Sequence, residues 1–190
     1  MRTTLLHAVL LCASALYAVA AQAKVEVEAA RQQSLGSVLA AKISEDIAPG
    51  DYEALLAGIK ANPGQFNRKI VLLDNIGGSA SEAIRMGRLL RETGFDALVP
   101  STGVCQGSCI YLLAAGHKKT VSGSVGLHRP YFPSGDSAMA QATHRGVRYS
   151  PAAYFREMQV PSRLAEEMQR IAPHSMRLLS AQELARYKLN

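Results

Sequence analysis

Residues 69–82 read Lys69-Ile70-Val71-Leu72-Leu73-Asp74-Asn75-Ile76-Gly77-Gly78-Ser79-Ala80-Ser81-Glu82. The apolar run 70–73, bounded by charged Lys69 and Asp74, has the pattern of a buried parallel strand. Gly77-Gly78 makes a turn, and Ser79-Ala80-Ser81-Glu82 spells a capping box at the start of a helix. Ala83, Met86, Leu89 and Leu90 then recur on one helical face, and Gly94 ends the helix. A strand, a glycine turn and a helix in direct succession form the repeating unit of an α/β fold.

The same alternation continues on both sides. Upstream, residues 24–36 are polar with a Val25/Val27 alternation, a short strand or a loose N-terminal arm. Residues 37–47 read as a strand pair or one bent strand. Pro49-Gly50 turns the chain, and Asp51 is placed to cap a helix through Lys60. Downstream, Ala97-Leu98-Val99 is a second short strand, and residues 101–107 form a loop of small residues. Residues 108–115 make an apolar helix ending at Gly116. Strand-like Thr120-Val121 and Val125-Gly126-Leu127 lead to His128. Residues 133–148 are polar and fit no element. Helices start at Ser150-Pro151 and Pro161-Ser162, and Ser180-Ala181-Gln182-Glu183 is a second capping box. The C-terminal part is thus expected to be helical and to lie outside the sheet. Strand–helix alternation with right-handed crossovers predicts an α/β class.

The first 23 residues stand apart. Arg2 is followed by a mostly apolar run over residues 5–20, then Ala21-Gln22-Ala23 with small residues at −3 and −1. This is the pattern of a secretory signal peptide, with cleavage after Ala23. A retained N-terminal membrane anchor is the alternative, and export to the periplasm or outside follows either way. Bulky Leu11 before Cys12 argues against lipidation.

Length and composition agree with one domain. The chain has 190 residues, 48% hydrophobic and 19% charged, which excludes wholesale disorder. It has no Trp and only 6% aromatics, so aliphatic side chains must build the core. The full chain carries a net charge of +6; removing residues 1–23 deletes only Arg2 and leaves 20 basic and 15 acidic residues, a net +5. These charges are scattered, without aromatic interleaving, so they read as solubility with weak attraction to an anionic membrane surface. Nucleic acid is not an expected partner.

Three local features could carry chemistry. Gly77-Gly78 exposes backbone N–H groups that can stabilise an oxyanion, or is a plain strand-to-helix turn. Gly107-Ser108-Cys109 opens an apolar helix, where Ser108 is either a nucleophile in the positive potential of the helix start or simply its N-cap. His128 follows a strand and is the natural base for Ser108, since imidazole titrates near neutrality. His117, His144 and His174 look structural or solvated. No HExxH-type spacing suggests zinc, and no cofactor or metal is expected. With Cys12 removed, Cys105 and Cys109 remain; an even pair in an oxidising compartment favours a disulfide over free thiols, and C-x3-C alone is weak evidence for metal.

In this order, the features resemble the Clp protease proteolytic subunit (ClpP) and its ClpP/crotonase-like superfamily, over roughly residues 37–190. The matching residues are Gly77-Gly78, Ser108, the apolar helix to Gly116, basic Lys118-Lys119, His128-Arg129-Pro130 and the tail Leu179-Ser180-Ala181-Gln182-Glu183. The resemblance implies a spiral of ββα units that assembles into rings or stacked trimers. It implies Ser108 as nucleophile, His128 as base and an oxyanion hole from the N–H groups of Gly78 and Cys109. It points to an exported subgroup with cysteines flanking the serine. Two departures stand out. Met176 occupies the place of the family's catalytic Asp, and the hairpin between Gly116 and His128 is short. Asp136, Glu157 and Glu166 are candidate substitutes for the Asp; Lys118 and Lys119 are candidate lysine bases, expected to be solvated. Two functions remain: a serine hydrolase acting on peptide or protein with a Ser108–His128 dyad, or a catalytically weak or inactive relative that binds peptides or envelope partners. Export from the cytosolic CoA pool argues against a crotonase-type acyl-CoA enzyme.

Overall fold

Strand β3 (Arg68–Gly78) organises the molecule. In the computed structural model, which describes residues 24–130, 143–144, 147–148, 150–172 and 174–190, it is a long strand with neighbours on both sides. Residues 1–23, read as a signal peptide, lie outside the described residues. Upstream, β1 (Lys24–Gln32) pairs antiparallel along its whole length with β2 (Gly36–Ile47), and β2 runs parallel to β3. Residues 24–32 are therefore a strand of the sheet rather than a loose arm, and residues 37–47 belong to one strand.

Helix α1 (Asp51–Ala61) links β2 to β3, and α2 (Ala80–Glu92) links β3 to β4 (Asp96–Val99). Then come β5 (Val104–Gln106), α3 (Cys109–Ala115), β6 (Lys119–Val121) and β7 (Ser124–His128). A two-stranded antiparallel ribbon, β8 (Thr143–His144) with β9 (Val147–Arg148), precedes α4 (Pro151–Glu157) and α5 (Arg163–Arg170). Strand β10 (Met176–Leu178) and α6 (Ala181–Arg186) close the chain. The fold is mixed α/β, built on an eight-stranded mixed sheet in the order β1-β2-β3-β5-β7-β10, with β4 and β6 branching from β3.

That branch corrects two expectations. The expected loop 101–107 contains β5, which pairs with β3 through Asn75 and Cys105 and with β7 along its length. The expected hairpin before His128 does not exist as a pair: β6 joins β4 on one branch and β7 joins β5 on the other. A third correction lies at the C-terminus. Residues 176–178 are not outside the sheet but pair antiparallel with β7, setting Met176 opposite His128. Three residues are too few for a hydrophobic period to show, so the strand is invisible in the sequence.

The core sits on one face of the sheet. Val71 and Leu73 are fully buried there, while Ile70 and Leu72 are half-buried on the other face, so β3 alternates rather than being buried on both sides. Helix α3 is buried along its whole length, as a helix that is apolar all round must be. Its Tyr111 stacks on Phe155 of α4 at 5.3 Å and meets Tyr154 edge-on at 5.5 Å. The Tyr154 hydroxyl donates to the Tyr111 carbonyl at 2.7 Å, and burial pushes that phenol's pKa up. Gly87 makes room for it: a Cβ there would lie 1.9 Å from the Tyr154 oxygen. Among the described residues no helix is long and apolar enough to cross a membrane.

The caps differ from one another. Ser180 and Glu183 form the full reciprocal box that the sequence spells. At α2 only half of it forms. Ser79 Oγ accepts from Glu82 N–H, but Ser79 N–H is bonded to the Ile47 carbonyl. The Glu82 carboxylate instead accepts from the Gly50 and Tyr52 N–H groups at the start of α1, and from Arg85. Asp51 caps no helix end either: its carboxylate accepts from the Ala48 N–H in the preceding turn.

Glu183 also ties β10 to α6, because Arg177 donates to it. The Ser180 N–H, then the Arg177 guanidinium, hold the Glu183 carboxyl at a pKa of about 2, below the usual 4.5. A depressed carboxylate stabilises the fold above its unfolded-state pKa and loses that contribution as pH falls through the folded one. Glu183→Gln should therefore destabilise the chain by about 1 kcal/mol at neutral pH. Melting curves of the two proteins should converge as pH falls from about 4.5 towards about 2.

Candidate functional site

At the end of β3 the inward alternation Val71, Leu73, Asn75 brings a polar side chain into the core. Asn75 is fully buried and its Oδ1 accepts from the Gly77 N–H at 2.9 Å, which shapes the turn. Among the described residues its Nδ2 is buried without a partner. Gly77 and Gly78 both have positive φ, 112° and 111°. Neither position tolerates a side chain. A Cβ on Gly77 would lie 3.1 Å from the Gln106 carbonyl and from the Ser108 nitrogen; one on Gly78 would lie 2.3 Å from the Ile47 carbonyl. The glycine turn is thus wedged between the end of β2 and the segment that presents Ser108.

That segment is Gly107-Ser108-Cys109. Gly107 adopts φ 52° and its N–H bonds to the Gly126 carbonyl at 3.0 Å. Ser108 precedes α3, is 6% exposed and makes no side-chain cap. Its hydroxyl donates instead to the Gly78 carbonyl at 2.8 Å, so the capping role offered by the sequence is not the one it takes. The Cys109 N–H that follows is one of the donors that a helix start leaves without an intrahelical partner. Cys105 and Cys109 are joined by a disulfide with a Cα–Cα separation of 5.2 Å, both fully buried. The even pair of thiols therefore closes across Gln106, Gly107 and Ser108.

His128 ends β7. The last parallel pair of β5 and β7 is Gln106 with Gly126. Two residues further along each chain come Ser108 and His128, at the same end of strands that run ~4.8 Å apart. A Cβ on Gly107 would be 3.7 Å from the His128 Cβ. The two side chains share one corner of the sheet, yet neither is hydrogen-bonded to the other: Ser108 is held by Gly78, and His128 Nδ1 lies 2.6 Å from the Arg129 carbonyl. On the far side of His128, Met176 stands directly opposite in the antiparallel register. Its side chain is half-exposed and lies over Gly126, where a Cβ would come within 2.6 Å of Met176 Sδ. Ser108, two residues past the end of β5, thus lies at the same end of the sheet as the paired His128 of β7 and Met176 of β10.

The other candidates lie elsewhere. Glu157 makes a two-pronged ion pair with Arg88, and Glu166 is exposed on α5. Asp136 falls outside the described residues. Lys119 is level with Ala97, hence with Val71, four residues before Asn75 on β3, or ~13 Å along the strands from the level of Cys105. It is half-buried rather than solvated, and burial, with Arg91 and Lys188 nearby, pushes its ammonium pKa down. Lys118 is exposed at the same remote end. His117 is exposed, with Nε2 3.0 Å from the Arg91 carbonyl, and His174 is exposed; the side chain of His144 is outside the described residues.

No protein-family model and no curated protein matches the chain. The chemistry of this corner therefore has to follow from its own geometry. It offers a hydroxyl at a helix start, an imidazole on the neighbouring strand and main-chain groups pinned by glycines. Two of its parts were not singled out in the sequence, Asn75 and the Arg129 carbonyl. Asn75 could have been found as the polar residue that continues the inward phase of Val71 and Leu73 towards the glycine turn.

The disulfide closes a very small loop, so its effect on the unfolded chain is limited to about 2 kcal/mol. Its local effect should be larger. Reduction, or Cys105→Ala with Cys109→Ala, should cost little in Tm but speed hydrogen exchange at the Gly107 amide. Mass-spectrometric exchange over residues 105–109 alongside a melting curve checks this; a large fall in Tm with unchanged exchange contradicts it.

Proposed function

We propose that this chain is an exported serine hydrolase with a ClpP-like spiral fold, acting on peptide or protein substrates through Ser108 and His128. The observation that carries the reading is that Ser108, just past β5, lies at the same sheet end as the paired His128 and Met176, beside the Gly77–Gly78 turn. A ClpP-like triad needs a nucleophile, a base and the base's partner in that order. Ser108 and His128 have the chemistry of the first two, and Met176, which the resemblance aligns with the third, brings no charge to His128.

The reaction follows from these groups. Ser108 Oγ leaves the Gly78 carbonyl and forms a bond to the substrate carbonyl carbon, while its proton passes to His128. The carbonyl electrons move onto oxygen, and the Cys109 and Gly78 N–H groups are the donors for that oxyanion. Collapse expels the leaving group, which takes the proton from His128. A water then repeats the sequence on the acyl-serine, with His128 again as base. No metal or cofactor enters. The ClpP-like family that the sequence resembles commonly assembles into rings or stacked trimers, and a homo-oligomer with weak attraction to an anionic membrane surface is part of the proposal, as is a periplasmic or secreted location.

A second reading has its own support. In the structure Ser108 meets Gly78 as a carbonyl, an acceptor that would repel an oxyanion at that point, and Met176 gives His128 no negative charge. Both features suit a catalytically weak or inactive relative that holds peptides or envelope partners at the same corner.

Labelling with a fluorophosphonate probe separates the two. Under the hydrolase reading the native chain labels, Ser108→Ala abolishes labelling and His128→Ala slows it by roughly 10²-fold or more. Met176→Asp raises the rate by at least ~10-fold, out of the ~10⁴ that a carboxylate contributes to a serine-protease triad. No labelling of the native chain at any pH, with labelling absent in Met176→Asp as well, supports the binding protein instead.

A further inference from the structure

His128 lacks the carboxylate that a triad histidine leans on, yet its ring is not unheld. Nδ1 lies 2.6 Å from the Arg129 carbonyl oxygen. A carbonyl has no proton to give, so the hydrogen in this contact must come from the ring. A neutral imidazole carries one N–H only. With that proton on Nδ1, Nε2 is left with its lone pair, and among the described residues Nε2 has no hydrogen-bond partner. This is the tautomer that a base for a serine hydroxyl requires.

Two surroundings make the contact durable. Pro130 follows Arg129 and is buried, and a residue before proline is confined to extended backbone, which limits where its carbonyl can point. Met176, directly across the strand pair, offers only a thioether, a weak acceptor, and its sulfur is spent over Gly126. The carbonyl has no strong rival for the ring proton on that side.

We propose that the main-chain carbonyl of Arg129 is the positioning group that replaces the missing carboxylate, holding His128 in the Nδ1–H form with Nε2 free to accept the Ser108 proton. A triad carboxylate does two things: it selects the tautomer, and its charge stabilises the imidazolium that forms. The carbonyl does the first completely and the second only as a dipole. The His128-Arg129-Pro130 stretch is therefore a self-contained base, with its orienting group one residue away in sequence. This inference rests on the Ser108–His128 reading but is tested without it.

The test is ¹⁵N NMR of the imidazoles in the full mature chain, labelled at histidine, with the His128 signal assigned by its loss in His128→Gln. At a pH where the rings are neutral, long-range proton–nitrogen correlations should show a pyrrole-type Nδ1 and a pyridine-type Nε2. Met176→Ala, a change at a half-exposed side chain, should leave that pattern as it is, because the carbonyl and not residue 176 holds the ring. An Nε2–H pattern, an averaged mixture of the two forms, or a switch of form in Met176→Ala would overturn the proposal. The outcomes are separable from those of probe labelling. An Nδ1–H ring in a chain that does not label keeps the carbonyl's hold and removes the hydrolase reading. Labelling with an Nε2–H ring removes the carbonyl's role and keeps the hydrolase.

Discussion

The candidate site depends on a close approach of main chain to main chain at Gly77 and Gly78. The end of β3 has to pass between the Ile47 carbonyl on one side and the Gln106–Ser108 segment on the other, with no room for a Cβ on Gly78 and only a tight 3.1 Å fit for one on Gly77. Positive φ at both residues lets the chain turn there without strain. Everything that meets Ser108 follows from that passage. The Gly78 carbonyl reaches the serine hydroxyl, the Ser79 N–H closes on Ile47, and α2 starts at once behind it. Asn75 supports the turn from inside the core, where an amide oxygen for Gly77 is compatible with burial because it is bonded.

Around that turn the protein is buried on one side and exposed on the other. Helix α3 is buried along its length, bridged at its start by a disulfide and held at Tyr111 by α4. A serine at the start of such a helix has its backbone fixed by the surrounding packing and the bridge, a preorganisation that the proposed hydrolase reading would draw on. The β10 side differs. Met176 and Leu178 are exposed on a three-residue strand, and the ion pairs of Arg177 with Glu183 and Glu167 anchor that strand from its other face. Met176, opposite His128, is thus on the more exposed border of the site.

Polar side chains in this part of the molecule are satisfied by main-chain groups. Glu82, almost fully buried, has every polar obligation met by the α1 start and Arg85. It acts as a bolt between two helix N-termini, where negative charge is favoured. His128 is held in a similar way, by the nearest main-chain acceptor. For Glu82 the main-chain partners lie about thirty residues away in sequence, whereas the acceptor beside His128 is its immediate neighbour.

Much of this was legible in the sequence by itself. The strand over residues 70–73, the glycine turn, the apolar face of α2, the buried helix after Ser108 and the Ser180–Glu183 box all carry periodic or capping signals that act over a few residues. The even cysteine pair pointed to a bridge, and Ser108 and His128 could be chosen as residue types in suggestive places. What the tertiary structure alone decided is how distant segments share an edge. The branching of the sheet at β3, the strand at Val104–Gln106 and the pairing of Met176–Leu178 with β7 rest on hydrogen bonds between main chains far apart in sequence. Side-chain patterns of three residues carry no such information. The same holds for the serine: sequence marks it as the residue before a helix, and only the approach of Gly78 turns its hydroxyl away from the helix cap and into the site.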